Sequence, residues 1–177
     1  MGVAREHKFV KLIVGMISAD HGLFGWAEQV LAQKFGFIDL QTEILPFTHT
    51  NYYDDELGTS LWRKFVSFDK LVPADSLGEI KTLTNDLECH WSHRRADKVA
   101  RRINLDPGYL TEAKLVLATT KDNAHRIYLG KGIFAEVTLA YREGDFRPFA
   151  WTYPDYQTVE YISFFRRVRE KYVSELR

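Results

Sequence analysis

Cysteine is nearly absent. Cys89 stands alone among 177 residues, which excludes an intramolecular disulfide and any zinc site built on several thiolates. An excess of either charge is lacking too, because 24 Lys and Arg balance 24 Asp and Glu for a formal net charge of zero. Nucleic-acid binders draw much of their affinity from neutralising phosphates and usually carry a basic surplus. Nucleic acid is therefore a disfavoured partner, although "RRADKVARR" and "RRVREK" are locally basic. No stretch approaches the roughly 20 apolar residues of a membrane-spanning helix, and the N-terminus has no apolar leader core. The expectation is a soluble cytoplasmic protein with no membrane association. Internal repeats, low-complexity segments and linkers are missing as well, so residues 1–177 read as a single domain with room for a real core.

Aromatics are plentiful. At 14% of the chain, with 12 Phe, 9 Tyr and 4 Trp, they supply large buried areas, and the Tyr and Trp among them add polar handles suited to a ligand pocket.

The apolar run "KFVKLIVGMIS" at 8–18 predicts a strand covered on both faces. In the next segment Leu23, Trp26, Ala27, Val30 and Leu31 recur at helical spacing, with Gly36 as a stop. "FIDLQTEIL" alternates like a half-buried strand, "TNYYDDELGTS" is a polar connection, and "LWRKFVSFDKLV" suits another strand. In "PADSLGEIKTLTNDLECHW", Ser76 and Glu79 form a capping box, and Leu77, Ile80, Leu83, Leu87 and Trp91 make a buried stripe. The positive charge of "HRRADK" follows, where the helix dipole favours it. Strands are expected near 98–105, 113–120, 125–130 and 133–141. A final helix turns Val159, Ile162, Phe165, Val168, Tyr172 and Leu176 inward. The order of these elements predicts an α+β fold: a ferredoxin-like split β-α-β core, a C-terminal antiparallel strand extension and a final helix.

Several pieces of the chain, taken together, resemble an uncharacterised prokaryotic family known as a domain of unknown function, DUF4416. They are "PFTHTNYYDDELG" at 46–58, "IKTLTNDLE" at 80–88, "NLDPGYL" at 104–110, "LVLATTKDNAHRIYLGKGIFAEVTL" at 115–139 and "WTYPDY" at 151–156. The resemblance implies a grouping and carries no activity or catalytic residue with it. "LVLATTKD" is loosely similar to the guanine-reading loop of GTPases, but the phosphate loop GxxxxGK[ST] that such a fold requires is missing.

The candidate site residues come from the polar interruptions of the strand-rich second half. In "TTKDNAHR", Lys121 and Arg126 offer a point charge and a planar fork to an anion, and His125 moves a proton near neutral pH. The plainer alternative is a solvated hairpin with Asp122 and Asn123 as its turn residues. "NLDPGY" reads first as a turn around Asp106-Pro107-Gly108; functionally, Asp106 becomes a carboxylate at a strand end that orients His125 or binds a metal, and Tyr109 becomes a stacking ring. In "WTYPDY", Tyr153 and Asp155 would close the site, or Asp155 would only cap the last helix. Glu136 sits mid-strand with parity opposite to Ala135, Val137 and Leu139, and is a candidate general base if buried.

Two further groups are weaker. Lys81, Thr84, Asn85 and Glu88 share one helical row, ordinarily a solvated face. Glu88, Cys89, His90 and His93 offer metal-binding side chains, as do His49, Asp54, Asp55 and Glu56, but their spacing falls short of a ligand set. No cofactor is named by the sequence. Two functions remain open: an enzyme or binder of a small anionic, phosphorylated or nucleotide-like ligand, and a non-catalytic module for protein partners or homo-oligomers.

Overall fold

The computed structural model describes residues 2–50, 52–95 and 98–176. The side chains at 93–99 lie outside the described residues, and with them the reading of His93 as a metal ligand and of "HRRADK" as a dipole-matched cluster.

β1 (Val10–Ser18) is buried along its whole length, as its unbroken apolar run requires. α1 (His21–Phe35) is capped by Asp20, whose carboxylate accepts the Gly22 N–H. The half-buried strand expected next is two short strands, β2 (Ile38–Gln41) and β3 (Leu45–Phe47). A one-turn helix, α2 (Asp54–Leu57), precedes β4 (Leu61–Val72). After α3 (Leu77–His90) come β5 (His93–Arg95), β6 (Lys98–Ala100), β7 (Ile103–Leu110), β8 (Lys114–Thr119), β9 (Ile127–Gly130), β10 (Ile133–Arg142) and β11 (Asp145–Pro148), and the last helix is α4 (Val159–Glu175).

Among the described residues nine strands share one sheet, ordered β11-β10-β8-β7-β1-β4-β2, with β3 also on β4 and β9 also on β10, and every neighbouring pair is antiparallel. The fold is α+β. The two faces of β1 divide the core as strand alternation dictates. Leu12, Val14 and Met16 pack with Leu23, Phe24 and Leu31 of α1 and Ile80 of α3. Ile13 packs on the other face with Phe65, Leu139 and the α4 residues Phe164, Phe165 and Val168. No described helix is long and apolar enough to cross a membrane.

Four local expectations are corrected. Asp106-Pro107-Gly108 is not a turn but the middle of β7, opposite Gly15, Val14 and Ile13 of β1. Pairing of β7 with β8 begins only at Gly108, so Pro107 lies where one flank of the strand is unpaired, the place a strand tolerates a missing N–H. Gly108 is needed for close approach: a Cβ there would lie 2.5 Å from the Val116 carbonyl oxygen.

On α3 the capping box does not form. The Ser76 hydroxyl donates to the Pro73 carbonyl oxygen instead, at 2.6 Å. The buried stripe of that helix is also rotated. Leu77 and Ile80 are buried, but so are Lys81, Thr84 and Glu88, whereas Leu83, Leu87 and Trp91 are only half-buried. On α4, Val159 is exposed and the inward face starts at Tyr161 and Ile162.

Candidate functional site

The sheet splits at one place. β1 accompanies β7 from Ile103 to Leu110, and β10 accompanies β8 as far as Thr119, yet β7 and β8 pair only over Gly108–Leu110 and Leu115–Leu117. Beyond Gly108 and Leu117 the two strands part, and a cavity of about 630 Å³ opens in the gap. Its wall takes Arg63 from β4, Lys81 and Glu88 from α3, Asn104 and Asp106 from β7, Lys121 after β8, Glu136 from β10, and Tyr153 and Asp155 ahead of α4.

The polar row of α3 replaces the absent strand neighbour. Glu88 accepts the Leu105 N–H at 2.6 Å, and Lys81 donates to the Leu105 carbonyl oxygen at 2.8 Å. Backbone groups that β8 would have paired are thereby satisfied, as buried amides must be. Burial raises the Glu88 pKa above the ordinary carboxylate value, against the pull of Lys81 and Arg101. Arg101 donates to Glu88 at 2.6 Å and grips Glu56 through Nε and Nη2, and this bond from Arg101 lowers the Glu56 pKa.

Arg63 is the residue that sequence reasoning missed. It lies on the apolar parity of β4, with Leu61, Phe65 and Ser67, and is only 3% exposed. A charge on that parity was the available signal. Its Nη2 donates to Asp155 Oδ2 at 2.9 Å, and its guanidinium lies over the rings of Phe47 and Phe65 at 4.9 and 5.1 Å. Gly15 leaves room for it, since a Cβ there would meet Arg63 Nη1 at 2.8 Å.

Burial works against that charge. The Asp155 and Asp106 carboxylates, with the Tyr156 and Tyr161 phenolates that form only at high pH, outweigh it and hold the Arg63 pKa above the ordinary arginine value. Arg63 Nε and Nη1 and the Tyr156 and Tyr161 hydroxyls are nevertheless buried without a hydrogen-bond partner among the described residues. Burial pushes the Tyr161 phenol up to about 12 and Tyr156 well above its ordinary value, so both keep their protons.

Of the main candidates in the sequence, Asp106, Lys121, Arg126, Glu136, Tyr153 and Asp155 line this cavity, and so do Lys81, Asn85, Glu88, Cys89 and His49 of the weaker groups. In the loop after β8, turn chemistry and inward-facing charge coexist. The Asn123 carbonyl oxygen accepts the Arg126 N–H at 3.0 Å, and the Arg126 side chain donates to Glu136 Oε2, the Lys121 carbonyl oxygen and the Tyr153 hydroxyl at 2.8 to 2.9 Å. Lys121 Nζ sits 3.7 Å above the Tyr52 ring.

His125 does not line the cavity. Its Nε2 lies 3.0 Å from Glu136 Oε2, and its ring stacks on Trp151 at 5.1 Å. The expected partner, Asp106, is thus replaced by Glu136, because Asp106 belongs to mid-strand β7 rather than to a loop beside His125. Tyr109 is also elsewhere. Three positions on from Asp106 it has the opposite parity and packs against the cluster of Leu77, Val116, Ala118 and Ile133. Asp155, read as closing the site or else as a helix cap, is 4% exposed and paired with Arg63, while Thr158 takes the N-cap position of α4.

Among the described residues no three His, Cys, Asp or Glu side chains converge on a metal-sized space. The basic stretches are extensively paired: Arg101 with Glu56 and Glu88, Arg102 with Asp20, and Arg166 with Asp145.

No curated protein and no solved structure matches the chain. The family model described as Domain of unknown function (DUF4416) matches residues 8–172, and the chain belongs to that family.

Proposed function

We propose that the cavity between β7 and β8 binds a small anionic ligand, carried on one ferredoxin-like domain spanning residues 1–177. Support for that frame comes from the order β7-β1-β4-β2, antiparallel throughout, with α1 and α3 on one face. The binding reading rests on one observation above all. Arg63, buried in the cavity wall, has two guanidinium nitrogens without an acceptor among the described residues, and the Tyr156 hydroxyl of the same wall has no partner among them either. Buried donors left unpaired are rare and call for an explanation, and an anion would satisfy them.

In this reading Lys121 and Arg126 hold the anion together with Arg63, Tyr153 and Asp155 complete the wall, and Asp106 faces the bound molecule. Glu136 is the member of the His125–Glu136 pair that reaches the cavity, so His125 acts as a positioning residue through it. Calorimetric titration with inorganic phosphate, nucleoside monophosphates, sugar phosphates and dicarboxylates tests the reading. Binding of at least one is expected, weakened tenfold or more in Lys121→Ala and Arg126→Ala. Hits that ignore both substitutions, or no hit at all, would overturn it.

A second reading, a non-catalytic module that binds protein or itself, draws on the edge strand β9. Ile127, Tyr128 and Leu129 are 70%, 60% and 44% exposed there, the kind of apolar edge that invites strand pairing. Light scattering across a concentration series would support it by showing an oligomer that Leu129→Lys dissolves.

A further inference from the structure

We infer that the anion taken by this cavity carries a hydrogen-bond donor, a hydroxyl or an ammonium, within a bond or two of its acidic group, and that Asp106 recognises the donor. The inference rests on the anion-binding reading and narrows its ligand class.

Three of the four carboxylates in the cavity wall are already committed. Glu88 accepts from Arg101 and from the Leu105 N–H, Glu136 from Arg126, and Asp155 from Arg63. Their side chains are 2 to 6% exposed. Asp106 differs: its side chain is 24% exposed, and its cationic neighbours stay beyond hydrogen-bond reach, Lys81 Nζ at 3.6 Å and Arg63 Nη1 at 3.7 Å. Oδ2 accepts from Asn104 Nδ2 at 2.6 Å, but Oδ1 accepts no hydrogen bond from any described residue.

A buried Arg63 donor without a partner among the described residues and an Asp106 acceptor open to the cavity therefore lie side by side. A plain anion drawn to Arg63 would be pressed against the Asp106 carboxylate, and the repulsion would offset much of the attraction. A ligand that puts its acidic group on Arg63 and a neighbouring O–H or N–H on Asp106 turns that repulsion into a charge-assisted hydrogen bond. Carboxylates with an α-amino or α-hydroxy group share this chemistry with phosphate esters bearing a vicinal hydroxyl.

The experiment is a calorimetric comparison of matched probes on the full chain. Propionate, 2-hydroxypropionate and 2-aminopropionate share a skeleton; propyl phosphate and glycerol 3-phosphate form a second set, and sulfate is the plain anion. On the wild type, at least one donor-bearing probe is expected to bind tenfold or more tighter than its donor-free counterpart. Asp106→Asn keeps the shape and one acceptor oxygen. It should tighten sulfate and abolish a preference for ammonium while sparing one for hydroxyl, whereas Asp106→Ala should abolish both. The inference is overturned, and the anion-binding reading stands, if donor-free probes bind as well as the others and still depend on Lys121 and Arg126. If none of the six binds, both fall together. Circular dichroism and melting of each variant separate lost binding from lost folding.

Discussion

Lys81 and Glu88, two turns apart on α3, hold the same residue of β7 between them: the ammonium donates to the Leu105 carbonyl oxygen, and the carboxylate accepts the Leu105 N–H. A helix thus supplies the hydrogen bonds of a missing strand. The split between β7 and β8 can stay open because its exposed backbone is satisfied from outside the sheet.

Removing half of that clamp should leave a local mark. In Glu88→Ala the Leu105 amide loses its acceptor, and a buried unsatisfied N–H costs about 1–3 kcal/mol. Native-state hydrogen exchange should show the Leu105 amide losing protection far more than the amides of Leu12 and Val14 in β1. Uniform deprotection would mean that Glu88 supports the whole fold and not the seam.

The Arg63–Asp155 pair joins the centre of the sheet to the segment before α4, across 92 positions of sequence. Asp155→Leu leaves a buried guanidinium without its counter-charge and should lower stability by about 3–5 kcal/mol. Replacing both members, Arg63→Met with Asp155→Leu, should recover most of the loss while eliminating anion binding. Urea denaturation of the two variants measures the difference; equal losses would contradict the pairing argument.

Gly108→Ala places a methyl against the Val116 carbonyl oxygen and Leu117 Cδ2, at 2.5 and 2.6 Å. Overpacking of this kind costs about 1–3 kcal/mol. Because the strain falls where β7 and β8 meet, the variant should also bind the cavity ligand less well, although Gly108 does not line the cavity. Melting and titration on one preparation check both effects.

Acid sensitivity should run through Glu56. Its hydrogen bonds from Arg101 hold the folded-state pKa below the ordinary 4.5. A depressed carboxylate contributes stability above its unfolded pKa and loses it as pH falls through the folded value. Glu56→Gln should therefore melt at a lower temperature than wild type at pH 7, and the gap should narrow steadily below pH 4.5. A gap that widens with acid would reverse the assigned sign.

Much of the architecture was legible. Continuous burial of β1, the helical stripe of α1 and the inward face of α4 beyond its first residues are written in apolar spacing, which needs no knowledge of partners. The polar knots at 119–126 and 151–156 were recognisable as separate features, and Lys121, Arg126, Tyr153 and Asp155 line one cavity. Misreadings arose where a local rule met a tertiary neighbour. Asp106-Pro107-Gly108 obeys turn chemistry as a tripeptide, yet β1 pairs along it and overrides that preference. The capping signal of Ser76 and Glu79 lost to a hydrogen bond from Ser76 back to Pro73.

What the chain determined by itself is its main elements, β1, α1, β4, α3, β8, β10 and α4, because periodicity and burial act over a few residues. Only the tertiary structure decided that β7 and β8 diverge, that Lys81 and Glu88 turn inward, and that Arg63 lies beside Asp106 with nitrogens to spare. Each of these depends on which distant segment lies alongside, and electrostatic and hydrogen-bond demand is settled by that neighbour.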